Sequence, residues 1–197
     1  MNLEPNNVSI SDILLDPNNP RFYDIDDREE PIPEDRYSRD PIQEDAKIKL
    51  KTRAMGKIDD LKRSIKSNGY VSAELIVVRE YGYKGGEYVV IEGNRRVAAI
   101  KDILSEEPMS DDEEDLHDSL ENINVLVYEE TGDEDIDNQN ISILQGLRHV
   151  AGPKEWGAYQ KANLVAELHD DLGNDFSEID KRLGLGPKIT IRYYRAY

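Results

Sequence analysis

The chain contains no cysteine among its 197 residues, which removes several kinds of chemistry from consideration. Neither a disulfide bond, nor a zinc–thiolate site, nor a nucleophilic thiol can occur in it. Its apolar residues never form a run of about 18, the length that a membrane-spanning helix needs. The N-terminal MNLEPNNVSI also lacks the basic and apolar regions of a secretory signal peptide. These absences predict a cytoplasmic protein that does not associate with membranes.

Basic residues are missing from a long central stretch, and this gap explains most of the net charge of -17. From residue 102 to residue 139 there are 16 Asp and Glu residues and no Lys or Arg. The remainder of the chain is therefore close to neutral. Residues 176–197 carry five basic residues against two acidic ones. Because local charge decides a phosphate contact, the acidic total does not exclude DNA as a partner.

Hydrophobic patterning predicts strands and helices that alternate early in the chain, and helices alone at its end. Strand-type runs occur in VSI, ELIVVREY, EYVVI and INVLVY. Ile58, Leu61 and Ile65 fall at helical spacing, and Asn68-Gly69 indicates where that helix stops. Another helix is predicted over residues 97–104. The pattern favours an α/β or α+β head followed by a helical tail.

Two segments contain too few apolar residues to offset the entropy of ordering them, and we expect both to be weakly ordered loops. They are residues 24–43, rich in Asp, Glu, Pro and Arg, and residues 105–121, SEEPMSDDEEDLHDSLE. A further acidic loop, TGDEDID, is expected after the strand INVLVYEE. The acidic loops show no regular ligand spacing, and His117, His149 and His169 share none either. No metal site is predicted.

The C-terminal sequence DFSEIDKRLGLGPKITIRYYRAY fits two short helices around a glycine-containing turn. Ser177 is expected to cap the first helix and Pro187 to open the second. The residues expected to face outward and contact DNA are Lys188, Thr190, Arg192 and Arg195. Two short helices of which the second is basic match a helix-turn-helix. The same pattern also fits a helical hairpin that only closes the core.

The stretch YVVIEGNRRVAAIKDIL changes from strand to helix character at Glu92-Gly93-Asn94-Arg95-Arg96. Glycine allows the backbone to approach a ligand closely, and a helix N-terminus presents free N–H groups. Two guanidinium groups add forked donors that suit phosphate oxygens. This pattern indicates a polyphosphate site, although no Walker motif GxxxxGK[ST] occurs. The two arginines could instead form ion pairs with the neighbouring acidic segment.

The order of these motifs resembles the N-terminal domain of ParB-type partition proteins, in the ParB/sulfiredoxin-like superfamily. DPNNPR, which ends in Arg21, resembles the family's NPxQPR box. SIKSNGYVSAELIVV resembles its S-I-x-x-x-G-x-x-x-P-I-x-V segment, and VIEGNRRVAAIK resembles its GERRxxAA box. LQGLRHVAGPKEW aligns loosely with ENxQRxxLNPxEE. The resemblance covers nearly the whole chain except the two acidic inserts.

The resemblance implies an α+β fold with a sulfiredoxin-like head, residues 1–138, built on a mixed sheet. An all-helical tail with a helix-turn-helix would occupy residues 139–197. The implied protein is a homodimer that binds DNA through the tail and CTP or another nucleoside triphosphate in the head. The implied nucleotide-binding residues are Ser64, Gly69, Glu92, Gly93, Asn94, Arg95, Arg96 and Arg148. Because the chain stops directly after the second tail helix, a C-terminal dimerisation part is expected to be missing.

Departures from the family pattern bear on catalysis. Asn94 stands where GERR has the acidic residue that the family associates with hydrolysis, and Leu144-Gln145 replaces its magnesium-holding Glu-Asn pair. Because a carboxamide cannot act as a base and Leu144 cannot bind a hard cation, we expect nucleotide binding with little or no magnesium-dependent turnover. No catalytic residue is assigned.

Two function classes follow, and the sequence favours the first. The first is a nucleotide-binding, DNA-binding protein in partition or gene regulation. The alternative is an enzyme on the same fold, a nuclease or a small-molecule kinase. Sulfiredoxin chemistry is excluded because it needs a cysteine.

Overall fold

A computed structural model describes residues 1–22, 30–52, 58–70, 76–82, 86–150, 158–183 and 188–195. The described residues form two compact units, the first reaching Glu129 and the second beginning at Glu130. The sequence predicts that the boundary between the head and the tail follows residue 138. No helix within the described ranges is long and apolar enough to cross a membrane.

The first unit is built on a mixed five-stranded sheet. Its strands are β1 (Asn2–Ser9), β2 (Ile13–Leu14), β3 (Ile76–Tyr81), β4 (Glu87–Glu92) and β5 (Asn122–Glu129). They lie in the order β1-β5-β3-β4-β2. The β1–β5 and β3–β4 pairs are antiparallel, and the β3–β5 and β2–β4 pairs are parallel. The predicted α+β class with a mixed sheet is confirmed.

Helices of the first unit pack their apolar residues into one core with the sheet. They are α1 (Asp40–Thr52), α2 (Ile58–Asn68), α3 (Asn94–Leu104) and α4 (Asp111–Glu121). Ile58 and Ile65 of α2 are buried, as their helical spacing predicted. Gly69 follows α2 with φ +72°, a left-handed conformation that commonly ends a helix. The predicted extent of α2 is therefore confirmed.

Parts of both segments that were predicted to be loops pack against the core, so that prediction is wrong for them. In residues 105–121, α4 forms and Leu120 is 0% exposed. The side chain of Ser110 caps α4 by accepting a hydrogen bond from the Glu113 N–H at 3.4 Å. In residues 24–43, Tyr37 is buried and α1 already begins at Asp40. Residues 23–29 lie outside the described ranges.

The described part of the second unit is helical. It contains α5 (Glu134–Val150), α6 (Ala158–Ala166), a π-helical turn (Glu167–Asp171), α7 (Phe176–Arg182) and α8 (Ile189–Tyr194). α5 begins inside the TGDEDID segment that was predicted to be a loop. The carboxylate of Asp137 accepts hydrogen bonds from the backbone N–H groups of Thr131 and Gly132, which holds the start of this helix. The core of the unit contains Ile143, Leu164, Leu168, Ile179 and Leu183.

Candidate functional site

The junction between β4 and α3 holds the paired arginines. Gly93 lies between the two elements with φ +110°, and a Cβ atom there would stand 3.0 Å from Cγ1 of Ile76. The Gly93 carbonyl accepts hydrogen bonds from the N–H groups of Arg96 at 2.8 Å and Val97 at 3.1 Å. α3 therefore begins at Asn94 and not at the predicted residue 97. Arg95 and Arg96 consequently lie within its first turn.

Both arginines are half-buried at this end of α3. Burial lowers the pKa of the Arg95 guanidinium, the carboxylate of Asp60 raises it, and the charge of Arg96 lowers it further. Two cations are thus held close together at the positive end of a helix dipole, where an anion is stabilised. Guanidinium forks suit the oxygens of a phosphate group, which is an anion of this kind.

Asn94 makes its hydrogen bonds to the DPNNPR segment. Its side chain is 4% exposed. Oδ1 accepts a hydrogen bond from the Asp16 N–H at 2.9 Å, and Nδ2 donates to the Asp16 carbonyl at 3.5 Å. Asn94 therefore joins two of the sequence motifs, a role that the sequence did not indicate.

Asp16 belongs to a buried polar cluster that the sequence analysis missed. Burial raises the pKa of its carboxyl group to about 6, although the hydrogen bond from Asn18 and the charge of Arg79 act against this. Asp16 Oδ1 accepts that hydrogen bond from the Asn18 N–H at 2.9 Å. The Asn18 side chain in turn donates to the Ile32 carbonyl and the Tyr37 hydroxyl. An aspartate in a turn-forming sequence carries no signal of such burial.

The other residues predicted to bind nucleotide lie on several elements. Ser64 is exposed on α2, Gly69 follows that helix, and Glu92 is the last residue of β4. α2 packs along α3. Arg148 is on α5 in the second unit, and its side chain lies outside the described residues. Their convergence on the arginine pair stays a prediction.

Ion pairs fasten α2 to the opposite end of α3 from the arginines. Lys62 Nζ lies 2.5 Å from Asp102 Oδ2 and 2.6 Å from Glu106 Oε1. Lys66 Nζ lies 2.6 Å from Glu106 Oε2. Asp102 lies near the C-terminal end of α3 and Glu106 follows that helix, so these pairs join α2 to that end. Within the described ranges, no group of three or more His, Asp and Glu side chains is arranged to hold a metal ion.

α8 and its two cap residues carry the basic side chains that were predicted to contact DNA. Lys188, Arg192 and Arg195 are exposed. Thr190, predicted to face outward with them, is 0% exposed. That part of the prediction is wrong, because the Thr190 hydroxyl contacts a carboxylate oxygen of Asp180 on α7 at 3.0 Å.

The starts of α7 and α8 also differ from the prediction. α7 begins at Phe176, which places Ser177 in its first turn and not at its N-cap. α8 begins at Ile189 with Lys188 at the N-cap, and Pro187 lies outside the described residues. Sequence reasoning did not identify Asp180, because its contact with the start of α8 is tertiary.

The sequence matches no protein-family model. It also matches no curated protein. Its structure is similar to the crystal structure of the C-terminally truncated chromosome-partitioning protein ParB from Caulobacter crescentus complexed to the centromeric parS site. That likeness has a TM-score of 0.51 at 15% identity and covers 96% of this chain and 70% of that chain.

A second structure of the same truncated protein, complexed with CTP-gamma-S, has a TM-score of 0.37 at 16% identity. It covers 98% of this chain and 77% of that chain, and the likeness is too weak to carry an argument. The first likeness, at low identity, shows the fold alone. The chain accordingly has a ParB-like α+β fold.

Proposed function

We propose that this chain is a ParB-like DNA-binding protein that acts as a homodimer in DNA partition or gene regulation. It binds DNA through α8. It binds a nucleoside triphosphate, with CTP as the first candidate, at Arg95 and Arg96. The observation that carries the proposal is the ParB-like fold, which extends over 96% of the chain and whose reference structure is bound to parS DNA.

Charge on α8 supports the DNA-binding part. Arg192 and Arg195 are three residues apart, so they project from the same side of this short helical segment, and both are exposed. Lys188 adds a third exposed cation at the start of α8. Basic side chains that contact phosphates release counterions, and this release makes binding depend strongly on salt.

The β4–α3 junction supports the nucleotide-binding part. The Gly93 turn leads directly into the N-terminal turn of α3, which carries Arg95 and Arg96, and both residues are half-buried. Hydrolysis, unlike binding, would also need a base. Asn94 offers none, because a carboxamide does not accept a proton near neutral pH. We therefore expect the nucleotide to act as a ligand more than as a substrate.

A titration of duplex DNA tests the DNA-binding part. The probe is a fluorescent duplex enriched from a random-sequence pool by the wild-type protein, and its anisotropy is measured over a range of salt concentrations. Arg192→Ala/Arg195→Ala should weaken binding about tenfold or more and reduce the salt slope by about 2. The control is Arg36→Ala/Arg39→Ala, which removes two exposed arginines from the first unit and should leave affinity close to wild type. Equal affinity of the α8 variant and wild type at every salt concentration would contradict the proposal.

A further inference from the structure

Asp180 lies on α7, and its buried carboxylate accepts hydrogen bonds from the start of α8. Oδ2 accepts from the Lys188 N–H at 2.8 Å, and Oδ1 accepts from the Thr190 N–H at 3.1 Å. The Thr190 hydroxyl lies 3.0 Å from Oδ1 and 3.1 Å from the Phe176 carbonyl, so its single proton is shared between them. One side chain of α7 thus satisfies two backbone donors at the start of α8.

Lys188 holds a backbone conformation that a lysine rarely adopts. Its φ is +67° and its ψ is 12°, and it is the only non-glycine residue with positive φ among the residues described. This left-handed conformation is unfavourable for a residue with a Cβ atom. The hydrogen bond from its N–H to Asp180 offsets part of that cost. The conformation at the start of α8 therefore depends on a carboxylate of α7.

The C-terminal end of α8 is held by separate contacts. Lys161 Nζ lies 5.6 Å from the centroid of the Tyr193 ring, and the Tyr194 hydroxyl donates to Asp170 Oδ1 at 2.8 Å. A helix of six residues is too short to be stable alone in water. The direction of its basic side chains is consequently set by what holds its two ends.

We propose that Asp180 and Thr190 are positioning residues for DNA binding. They fix the start and direction of α8 so that Lys188, Arg192 and Arg195 are presented together, and they do so from buried positions without contacting DNA. The inference rests on the proposed DNA-binding function. It assigns a role to the buried pair formed by Asp180 and Thr190.

The test compares Asp180→Asn, Thr190→Val and Thr190→Ser with wild type. Asp180→Asn introduces a carboxamide, which retains one acceptor oxygen. Valine in Thr190→Val has nearly the shape of threonine but lacks the hydroxyl, whereas serine in Thr190→Ser keeps the hydroxyl. Glu178→Gln is the matched control, because it removes one negative charge from an exposed position of α7. For each variant, three quantities are measured: the dissociation constant for the enriched duplex, the active fraction from a stoichiometric titration, and the melting temperature.

Asp180→Asn and Thr190→Val should weaken DNA binding about tenfold, the equivalent of one or two lost hydrogen bonds. Their active fractions should stay near that of wild type at a temperature where both are folded. Thr190→Ser should bind within about twofold of wild type, and Glu178→Gln should not weaken binding, because an exposed carboxylate makes no bond to α8.

A purely structural role for this pair would lower the melting temperature or the active fraction and leave the dissociation constant of the active protein unchanged. That result would overturn the inference. If Asp180→Asn does not fold, the Thr190→Val and Thr190→Ser pair decides the question. Failure of wild type to bind DNA, or full binding by Arg192→Ala/Arg195→Ala, would instead remove the proposed function, which distinguishes the two failures.

Discussion

Oδ1 of Asn94, the first residue of α3, accepts a hydrogen bond from the backbone N–H of Asp16 at 2.9 Å. The two residues are 78 positions apart in sequence, and the bond joins the DPNNPR segment to the β4–α3 junction. Both residues are buried, so water cannot replace this bond when it is lost. Asn94 thereby joins this loop to the helix that bears the arginines.

Asn94→Ala should destabilise the protein, because the buried Asp16 N–H would lose its acceptor. The free energy of unfolding, measured by urea denaturation, should fall by about 1–3 kcal/mol. The control is Asn7→Ala, which breaks an exposed hydrogen bond to Asn124 and should cost no more than about 0.5 kcal/mol. Equal stability of the Asn94 and Asn7 variants would show that the bridge contributes little.

Asp16 should make stability depend on pH in an unusual direction. Burial raises the pKa of its carboxyl group from 3.8 to about 6 in the folded protein, so between these values the folded state binds more protons than the unfolded state. This group therefore lowers the free energy of unfolding as pH rises from about 4 to about 6, and its cost persists above that range.

Asp16→Asn removes this cost, while its carboxamide oxygen can still accept the hydrogen bond from the Asn18 N–H. We expect the variant to be about 3 kcal/mol more stable than wild type at pH 8, with the difference shrinking as pH falls toward 4. Urea denaturation at several pH values measures this. A difference that does not change with pH would contradict the assigned burial of the charge.

Lys188→Gly should raise stability and lower DNA affinity at once. Glycine adopts positive φ without strain, so the free energy of unfolding should increase by about 1 kcal/mol. Loss of the ammonium group should weaken binding to the enriched duplex and reduce the salt slope by about 1. Lys188→Ala is the matched comparison, because it loses the charge and keeps the strain. If Lys188→Gly binds DNA as tightly as wild type, Lys188 takes no part in the interface.

Much of the first unit was predictable because its patterns are local. The apolar spacing of Ile58 and Ile65 and the stop at Gly69 together specified α2. α4 was not predicted, because the acidic composition of residues 105–121 favoured a loop, although the segment also has helix-forming features. Ser110 and Glu113 have the spacing of a helix-capping pair, and Leu116 and Leu120 are one helical turn apart.

Only the part of the candidate site that is formed by residues adjacent in sequence was predictable. The strand, glycine and arginine sequence placed Arg95 and Arg96 at the start of a helix, and the structure puts them there. The burial of Thr190 and the positions of Asp16 and Asp180 depend on contacts between separate elements. Nothing in the local sequence encodes such contacts, so periodicity alone could not reveal them.

Equilibrium dialysis with labelled CTP, ATP and GTP measures whether the arginine pair binds a nucleotide. Wild type, Arg95→Ala, Arg96→Ala and the exposed control Arg36→Ala are compared, with circular dichroism to confirm that each variant is folded. Wild type and Arg36→Ala should bind at least one of the nucleotides saturably, CTP before the others, with little hydrolysis. Each of the other two variants should lose about tenfold or more in affinity, because a charge-assisted contact to phosphate is lost. Unchanged affinity in both Arg95→Ala and Arg96→Ala, or no saturable binding by wild type, would contradict the account.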